Sequence, residues 1–190
     1  ICPNGEKVVV HVSNFRKVKR VPEVVKVFSK ILESGIEAKL LLVGDGPDRQ
    51  KAEMMCRELH MCDHVRFLGK LDEVEEVLSI ADLFLIPSGS ETFGLAALEA
   101  MSCSVPVISS DIGGLPEVNV EGETGYLCAL DDTDCMAKHA VNILTNDALH
   151  TELSAKARKR AETFNQELVV EQYEQFYKEV SANVKSNATA

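Results

Sequence analysis

No Cys-x-x-Cys pair, no apolar stretch of membrane length and no long block of basic residues occurs in these 190 residues, and each absence excludes a class of function. The six cysteines are Cys2, Cys56, Cys62, Cys103, Cys128 and Cys135. They lack redox-motif spacing and a second pair at zinc-finger spacing, and a domain of this size needs no covalent staple, so reduced and largely buried thiols are expected. A membrane helix needs about 20 consecutive apolar residues, and no run approaches that. The chain opens without a charged-then-apolar leader, so a cytoplasmic location is expected. Twenty basic residues against 30 acids leave a formal charge of -10, which argues against a nucleic-acid or anionic-membrane surface. His11, His60, His64, His139 and His150 show neither metal spacing nor a serine or cysteine partner, so neither a bound metal nor a hydrolytic triad is expected.

What is present is enough apolar residue, 45%, to build a full core, arranged as alternating strand and helix patterns. Val8 to Val12, Ala38 to Val43, His64 to Leu68, Leu83 to Ile86, Val105 to Ser109 and Gly125 to Cys128 read as strands. Between them, a helix begins near Pro22 and stops at Gly35, a polar helix follows Pro47, and a short one starts at Asp72. From Thr133 onward the pattern is helical, and Val169, Tyr173, Phe176, Tyr177 and Val180 recur as an apolar stripe suited to a core or to bracing a second domain. Such alternation predicts an α/β, Rossmann-like, doubly wound parallel sheet with C-terminal helices, one domain over 1–182 and a frayed tail over 183–190. Ligands of such sheets sit at the carboxyl ends of the strands. The loops Ser13 to Arg20, Gly44 to Asp48, Ser88 to Gly94 and Ser110 to Glu117 share that edge.

Two acids, Glu91 and Glu99, bracket the apolar run that contains Phe93, Gly94 and Leu95. Those residues read as the start of a buried helix, whose free N–H groups and dipole favour an anion. Glu99 then lies within an apolar helix, where an ionised carboxylate calls for a diol, a hydroxyl or a base. Acids near helix starts also serve as simple dipole partners, worth roughly 0.3–1 kcal/mol, so spacing alone leaves both readings open.

The remaining motifs weigh differently. Gly44-Asp45-Gly46-Pro47-Asp48-Arg49 follows a strand and opens a helix, yet Arg49 replaces the third glycine of a dinucleotide fingerprint, and Asp45 and Asp48 would repel a pyrophosphate. Nicotinamide and flavin binding are therefore not expected. Asp132-Thr133-Asp134 reads as helix capping instead of metal ligation. Arg16, Lys17, Lys19 and Arg20 put four cations after the first strand, suited to a diphosphate or simply solvated. Gly113, Gly114 and Glu117 pair a flexible turn with another acid.

Taken in order, the basic loop, Gly-x-Gly-Pro, Phe-Leu-Gly, Glu-x7-Glu-Ala-Met, Val-Pro-Val-Ile, Gly-Gly-x-x-Glu and Thr-Gly-Tyr-Leu resemble the donor half of the family-four retaining glycosyltransferases of GT-B architecture, from about Val8 to Phe176. His11 to Arg20 and Leu41 to Pro47 narrow the resemblance to members that transfer N-acetylglucosamine to L-malate in bacillithiol biosynthesis. The resemblance implies a UDP-sugar donor and no metal. It implies Glu99 on the ribose, Glu91 facing sugar and diphosphate, and the amides of Phe93, Gly94 and Leu95 on sugar and phosphate oxygens. Lys19, with Arg16 or Arg20, would neutralise the diphosphate, Phe67, Leu68 and Gly69 would line the uracil slot, and Asn14, Gly44, Gly113, Gly114 and Glu117 would border the donor. Glu91, Lys19 and Arg16 are the implied catalytic residues.

Two departures accompany the resemblance: Ser13-Asn14 stands where Gly-Arg is common, and Ser104 where glycine is common. If that second position has positive φ, serine costs about 1 kcal/mol. The family's acceptor site lies mostly in an amino-terminal domain, which this chain is expected to lack, so donor binding with little or no transfer is expected. A nucleotide-sugar 2-epimerase and a noncatalytic nucleotide-sugar binder are the alternatives.

Overall fold

The computed structural model describes residues 5–165, 170, 173–178 and 180. Its centre is β1 (Lys7–Val12), where consecutive valines are buried on both faces, as a parallel strand covered by helices requires. Around it lie β2 (Ala38–Val43), β3 (Val65–Gly69), β4 (Leu83–Ile86), β5 (Val107–Ser110) and β6 (Gly125–Cys128). The six are paired in parallel in the order β3-β2-β1-β4-β5-β6. That order reverses direction between β1 and β4, so the crevice of this sheet opens between the loops that follow those two strands.

The crossovers are α1 (Val21–Glu33), α2 (Arg49–Glu58), α3 (Glu75–Leu78), α4 (Leu95–Ser102), α5 (Leu115–Val118) and α6 (Thr133–Thr145), followed by α7 (Asp147–Glu162). Val21, Val24, Val25, Phe28 and Ile31 put one buried stripe on α1, which packs with α2 and α6 on one face of the sheet. On the other face, α3, α4 and α5 cover Val10, Phe84 and Val107. Helix α7 joins the layers, with Leu153 in the first cluster and Ala157 in the second.

The expected α/β architecture holds, with four local corrections. Pro106 cannot donate to a ladder, and β5 starts after it, at Val107 instead of Val105. The stretch read as a loop from Ser110 to Glu117 contains α5, a four-residue helix too short to leave a periodic signal. The expectation of reduced cysteines fails at Cys128 and Cys135, whose sulfurs are bonded with their Cα atoms 5.9 Å apart. Motif spacing and domain size say nothing about two thiols that the turn from β6 into α6 brings together. Finally, Tyr173, Phe176, Tyr177 and Val180 are exposed, Tyr177 by 65%, so this part of the apolar stripe is no core of the described domain. Val169 and the 183–190 tail lie outside the described residues.

Candidate functional site

The two loops at the reversal point carry the charges expected of them. The Lys19 ammonium, from the loop after β1, forms an ion pair with Glu91, from the loop after β4. Both side chains are largely enclosed, at 22% and 12% exposure, which limits water screening of the pair. Ser88 Oγ donates to the same Glu91 oxygen at 3.1 Å.

Beneath this pair lies a histidine that the sequence reading left without a partner. His11 is wholly buried on β1; its Nδ1 lies 2.8 Å from the Leu85 carbonyl and its Nε2 2.8 Å from Ser13 Oγ. A carbonyl only accepts, so Nδ1 carries the proton and the Ser13 hydroxyl donates to Nε2. Burial pushes the imidazole down to about 4, against the raising effect of the Leu85 hydrogen bond, with smaller opposed effects from Lys19 and Glu91. His11 is therefore neutral near pH 7 and braces the start of the basic loop through Ser13, which also accepts from the Phe15 N–H at 3.3 Å. Alternation along a strand puts residues i and i+2 on one face, the one sequence signal that could have found this pair.

The basic loop is anchored by Phe15, fully buried in a left-handed conformation (φ 44), whose carbonyl accepts from the Asp48 N–H at 2.9 Å. Gly44 has φ 123, and a Cβ there would stand 1.7 Å from the Ser13 carbonyl oxygen. The Gly-Asp-Gly-Pro turn thus uses its first glycine to let two loop backbones touch. Similarly, a Cβ on Gly113 would stand 2.0 Å from the Glu91 carbonyl oxygen, and the Gly114 N–H donates to that oxygen at 2.9 Å. The Gly113-Gly114 turn therefore fixes the Glu91 loop, and the Gly114 amide is committed within the protein.

Gly94 caps the start of helix α4, and among the described residues the N–H groups of Phe93, Gly94 and Leu95 donate to no protein acceptor. One turn further on, Glu99 is half-buried, and its carboxylate makes no hydrogen bond or ion pair among the described residues. Burial, then the nearby charge of Glu75, raises it above the usual carboxylate range. This is an acid without a partner on the helix whose free amides open toward the crevice.

Other expected residues are placed less uniformly. Asn14 and Arg16 are exposed on the basic loop, while Arg20 (φ 56) turns to Asp131 and to Glu23, the latter at 3.6 Å. Phe67 and Leu68 pack toward opposite faces of β3: Phe67 lies under the Arg49 guanidinium, 5.6 Å from its ring centre, with the α1 and α2 layer. Leu68 shares the α4 layer with the helix that bears Glu99, and the Gly69 carbonyl accepts from Gly44. The two side chains therefore pack in different layers at the end of β3, where the pairing with β2 shifts register between Phe67 and Gly69. Glu117 is exposed on α5, its carbonyl accepting from Arg160. Asp132 caps α6 by accepting from the Cys135 N–H at 2.8 Å, as its spacing predicted. Among the described residues one cluster has metal-ligand proximity, Cys128, Cys135 and His139, with ligand atoms within 4.8 Å, and its two sulfurs are bonded to each other.

The family described as glycosyl transferases group 1 matches residues 2–160. N-acetyl-alpha-D-glucosaminyl L-malate synthase of Bacillus anthracis is 47% identical over 183 residues, 96% of this chain and 48% of that protein. Among solved structures, sucrose-phosphate synthase from Thermosynechococcus elongatus is similar with a TM-score of 0.84 and 32% identity, covering 95% of this chain and 47% of the other. TarM of S. aureus, solved with Fondaparinux, alpha-GlcNAc-glycerol and UDP, has a TM-score of 0.83 at 25% identity, covering 90% and 35%. The chain spans about half the length of the curated relatives it matches, 48% and 41% for two of them.

Proposed function

This chain belongs to the group 1 glycosyl transferases, and from that membership we propose that it holds the nucleotide-sugar donor, UDP-N-acetylglucosamine, for transfer of the sugar to L-malate in bacillithiol biosynthesis. The observation that carries the reading is Glu99. A half-buried carboxylate raised by burial and lacking a partner among the described residues matches a ribose diol, which supplies two hydroxyl donors and no competing charge. The N-acetyl sugar and malate are supported by the 47% identity to the synthase, and the uridine diphosphate by TarM, which was solved with UDP.

In the proposed reaction the bond between the sugar anomeric carbon and the diphosphate breaks, and one to the acceptor hydroxyl oxygen forms on the same face. Negative charge then grows on the leaving diphosphate. Lys19 and Arg16, together with the free amides at the start of α4, are assigned to meet that charge, and the assignment calls for no metal. Retention needs no carboxylate nucleophile here: Glu91 is already held by Lys19 and Ser88, and Glu99 is assigned to ribose, whereas a retaining glycosidase sets both carboxyls across the scissile bond. Acceptor binding is assigned to protein beyond this chain, so donor binding with little or no transfer is expected of these 190 residues.

Titration calorimetry with UDP tests the site: binding that weakens in Glu99→Ala and Lys19→Ala supports it, and unchanged affinity in both refutes it. Assay of the full-length protein with UDP-N-acetylglucosamine and L-malate tests the reaction. A sugar epimer formed without consumption of malate would assign it to an epimerase instead.

A further inference from the structure

We propose that Cys128 and Cys135 form a thiol–disulfide switch that sets how far the charge of Arg20 is available to the donor diphosphate, an inference that rests on the donor-site reading above. Cys128 ends β6 and is 2% exposed, while Cys135 lies half-buried in the first turn of α6. The bridge between them closes a loop with a sequence separation of seven. That loop is tied to the candidate site. Its Asp131, in a left-handed conformation (φ 71), forms an ion pair with Arg20, the last residue of the basic loop. Thr133 and Asp134, at its other end, accept from Lys30 of α1 at 2.8 and 2.7 Å.

Arg20 in this state is paired with Asp131, and its buried Nε has no hydrogen-bond partner among the described residues. The Asp131 side chain is 72% exposed, so its hold on Arg20 is that of a surface ion pair whose geometry depends on the loop that carries it. Closing a loop removes much of its conformational freedom, and opening it returns that freedom. The bridged form therefore keeps Asp131 on Arg20, and the dithiol form lets the pair separate.

Reduction proceeds at the more accessible sulfur. A thiolate of a dithiol reductant attacks Cys135 Sγ, the bond to Cys128 Sγ breaks, and Cys128 leaves as a thiolate and takes a proton. The second reductant thiol then displaces Cys135, which leaves at the positive end of α6. Two electrons and two protons reach the protein, and the reductant becomes a disulfide. With Asp131 withdrawn, Arg20 keeps only its 3.6 Å pair with Glu23, more of its charge is available to the diphosphate, and UDP affinity rises by about two- to fivefold at low salt, the range a surface pair supports. The gain disappears at high salt.

The test uses the 190-residue chain equilibrated with reduced and oxidised dithiothreitol. Thiol alkylation read by mass spectrometry should show two further free thiols, at Cys128 and Cys135, on reduction. Calorimetry should then show tighter UDP binding by the reduced chain, a reduced-like affinity for Cys135→Ser in both buffers, and no redox difference for Asp131→Asn. Three results overturn the switch: no disulfide in any buffer, equal UDP affinity in both states, or uptake of one zinc ion per reduced chain with both thiols protected, which would make Cys128, Cys135 and His139 a metal site. If neither state binds UDP, the donor-site reading fails instead. Hydrogen exchange then decides the switch: slower exchange at residues 129–134 and 16–20 in the oxidised chain upholds it, and identical exchange overturns it.

Discussion

Replacing Glu99 with glutamine should move stability and donor binding in opposite directions, which no merely structural role for this residue would do. In the free protein the carboxylate is half-buried, close to Glu75 and without a hydrogen-bonded partner among the described residues, so its proton is held more tightly than at the ordinary value of 4.5. The folded state then binds the proton better than the unfolded chain does, so stability falls as pH rises from 4.5 through the raised folded value. Above that raised value the full penalty is present. Glu99→Gln removes it, and because the group is partly in solvent the gain is only a few tenths of a kcal/mol, a rise in Tm of about 1 °C. Binding responds the other way. Two ribose hydroxyls donating to a carboxylate make charge-assisted bonds, each worth about 1.5–3 kcal/mol, and glutamine keeps one neutral acceptor in their place. A net loss of about 1–2 kcal/mol corresponds to roughly a five- to thirtyfold weaker Kd for UDP. Differential scanning calorimetry and UDP titration on the same samples at pH 7 read both quantities. Wild-type affinity in Glu99→Gln, or a Tm lowered by several degrees, refutes the assignment of this acid to the donor.

Three further outcomes are expected. Lys19→Ala should weaken UDP binding by roughly ten- to thirtyfold at 50 mM salt and by much less at 0.5 M, since a diphosphate contact is screened where a hydroxyl contact is not; equal losses at both salts would exclude Lys19 as the diphosphate cation. Ser104 has φ 63 on an exposed turn, so Ser104→Gly should relieve about 1 kcal/mol and raise Tm by about 2–4 °C, as thermal denaturation will show. His11 titrates at about 4 in the fold against 6.5 when unperturbed, so the unfolded chain takes up the proton first and stability falls as pH drops through that interval, by about 2–4 kcal/mol. Urea denaturation at pH 7 and pH 4 should show this loss reduced in His11→Gln, and an unchanged pH profile would deny the histidine that role.

The strands with consecutive branched or leucine residues, β1, β2 and β4, were legible to within one residue because burial on both faces leaves a continuous apolar run. The start of α6 was equally legible, since a capping aspartate acts on a backbone N–H three residues away. Contacts made across the chain were not. Nothing near His11 in sequence reveals Phe84, whose ring lies 6.4 Å away on β4, or the Leu85 carbonyl that fixes the tautomer. Asn119 is buried and bonded to Val107, Ser109, Tyr126 and Thr124, a network that only the packing of β5 against β6 assembles. Even Gly44 was readable as a turn glycine but not as the residue that admits the Ser13 carbonyl. Local pattern specifies which segments form; the partners of each side chain follow from strand order.

On the proposed reading, strand order also explains why the two acids differ. Glu91 sits where β1 and β4 adjoin, so the loop after β1 brings Lys19 to it, and the resulting pair keeps that cation in place before any donor arrives. A diphosphate carries more charge than one carboxylate and can take Lys19 over, leaving Glu91 to accept from a sugar hydroxyl. Because each partner exchanges one charged or hydroxyl contact for another, neither is left buried alone, which would cost several kcal/mol. Glu99 has no cation to exchange and bears its burial penalty until hydroxyls reach it. An anion would add repulsion there, and a neutral diol would not. On this reading the same crevice would sort the two ends of a nucleotide-sugar by charge, phosphate toward Lys19 and ribose toward Glu99.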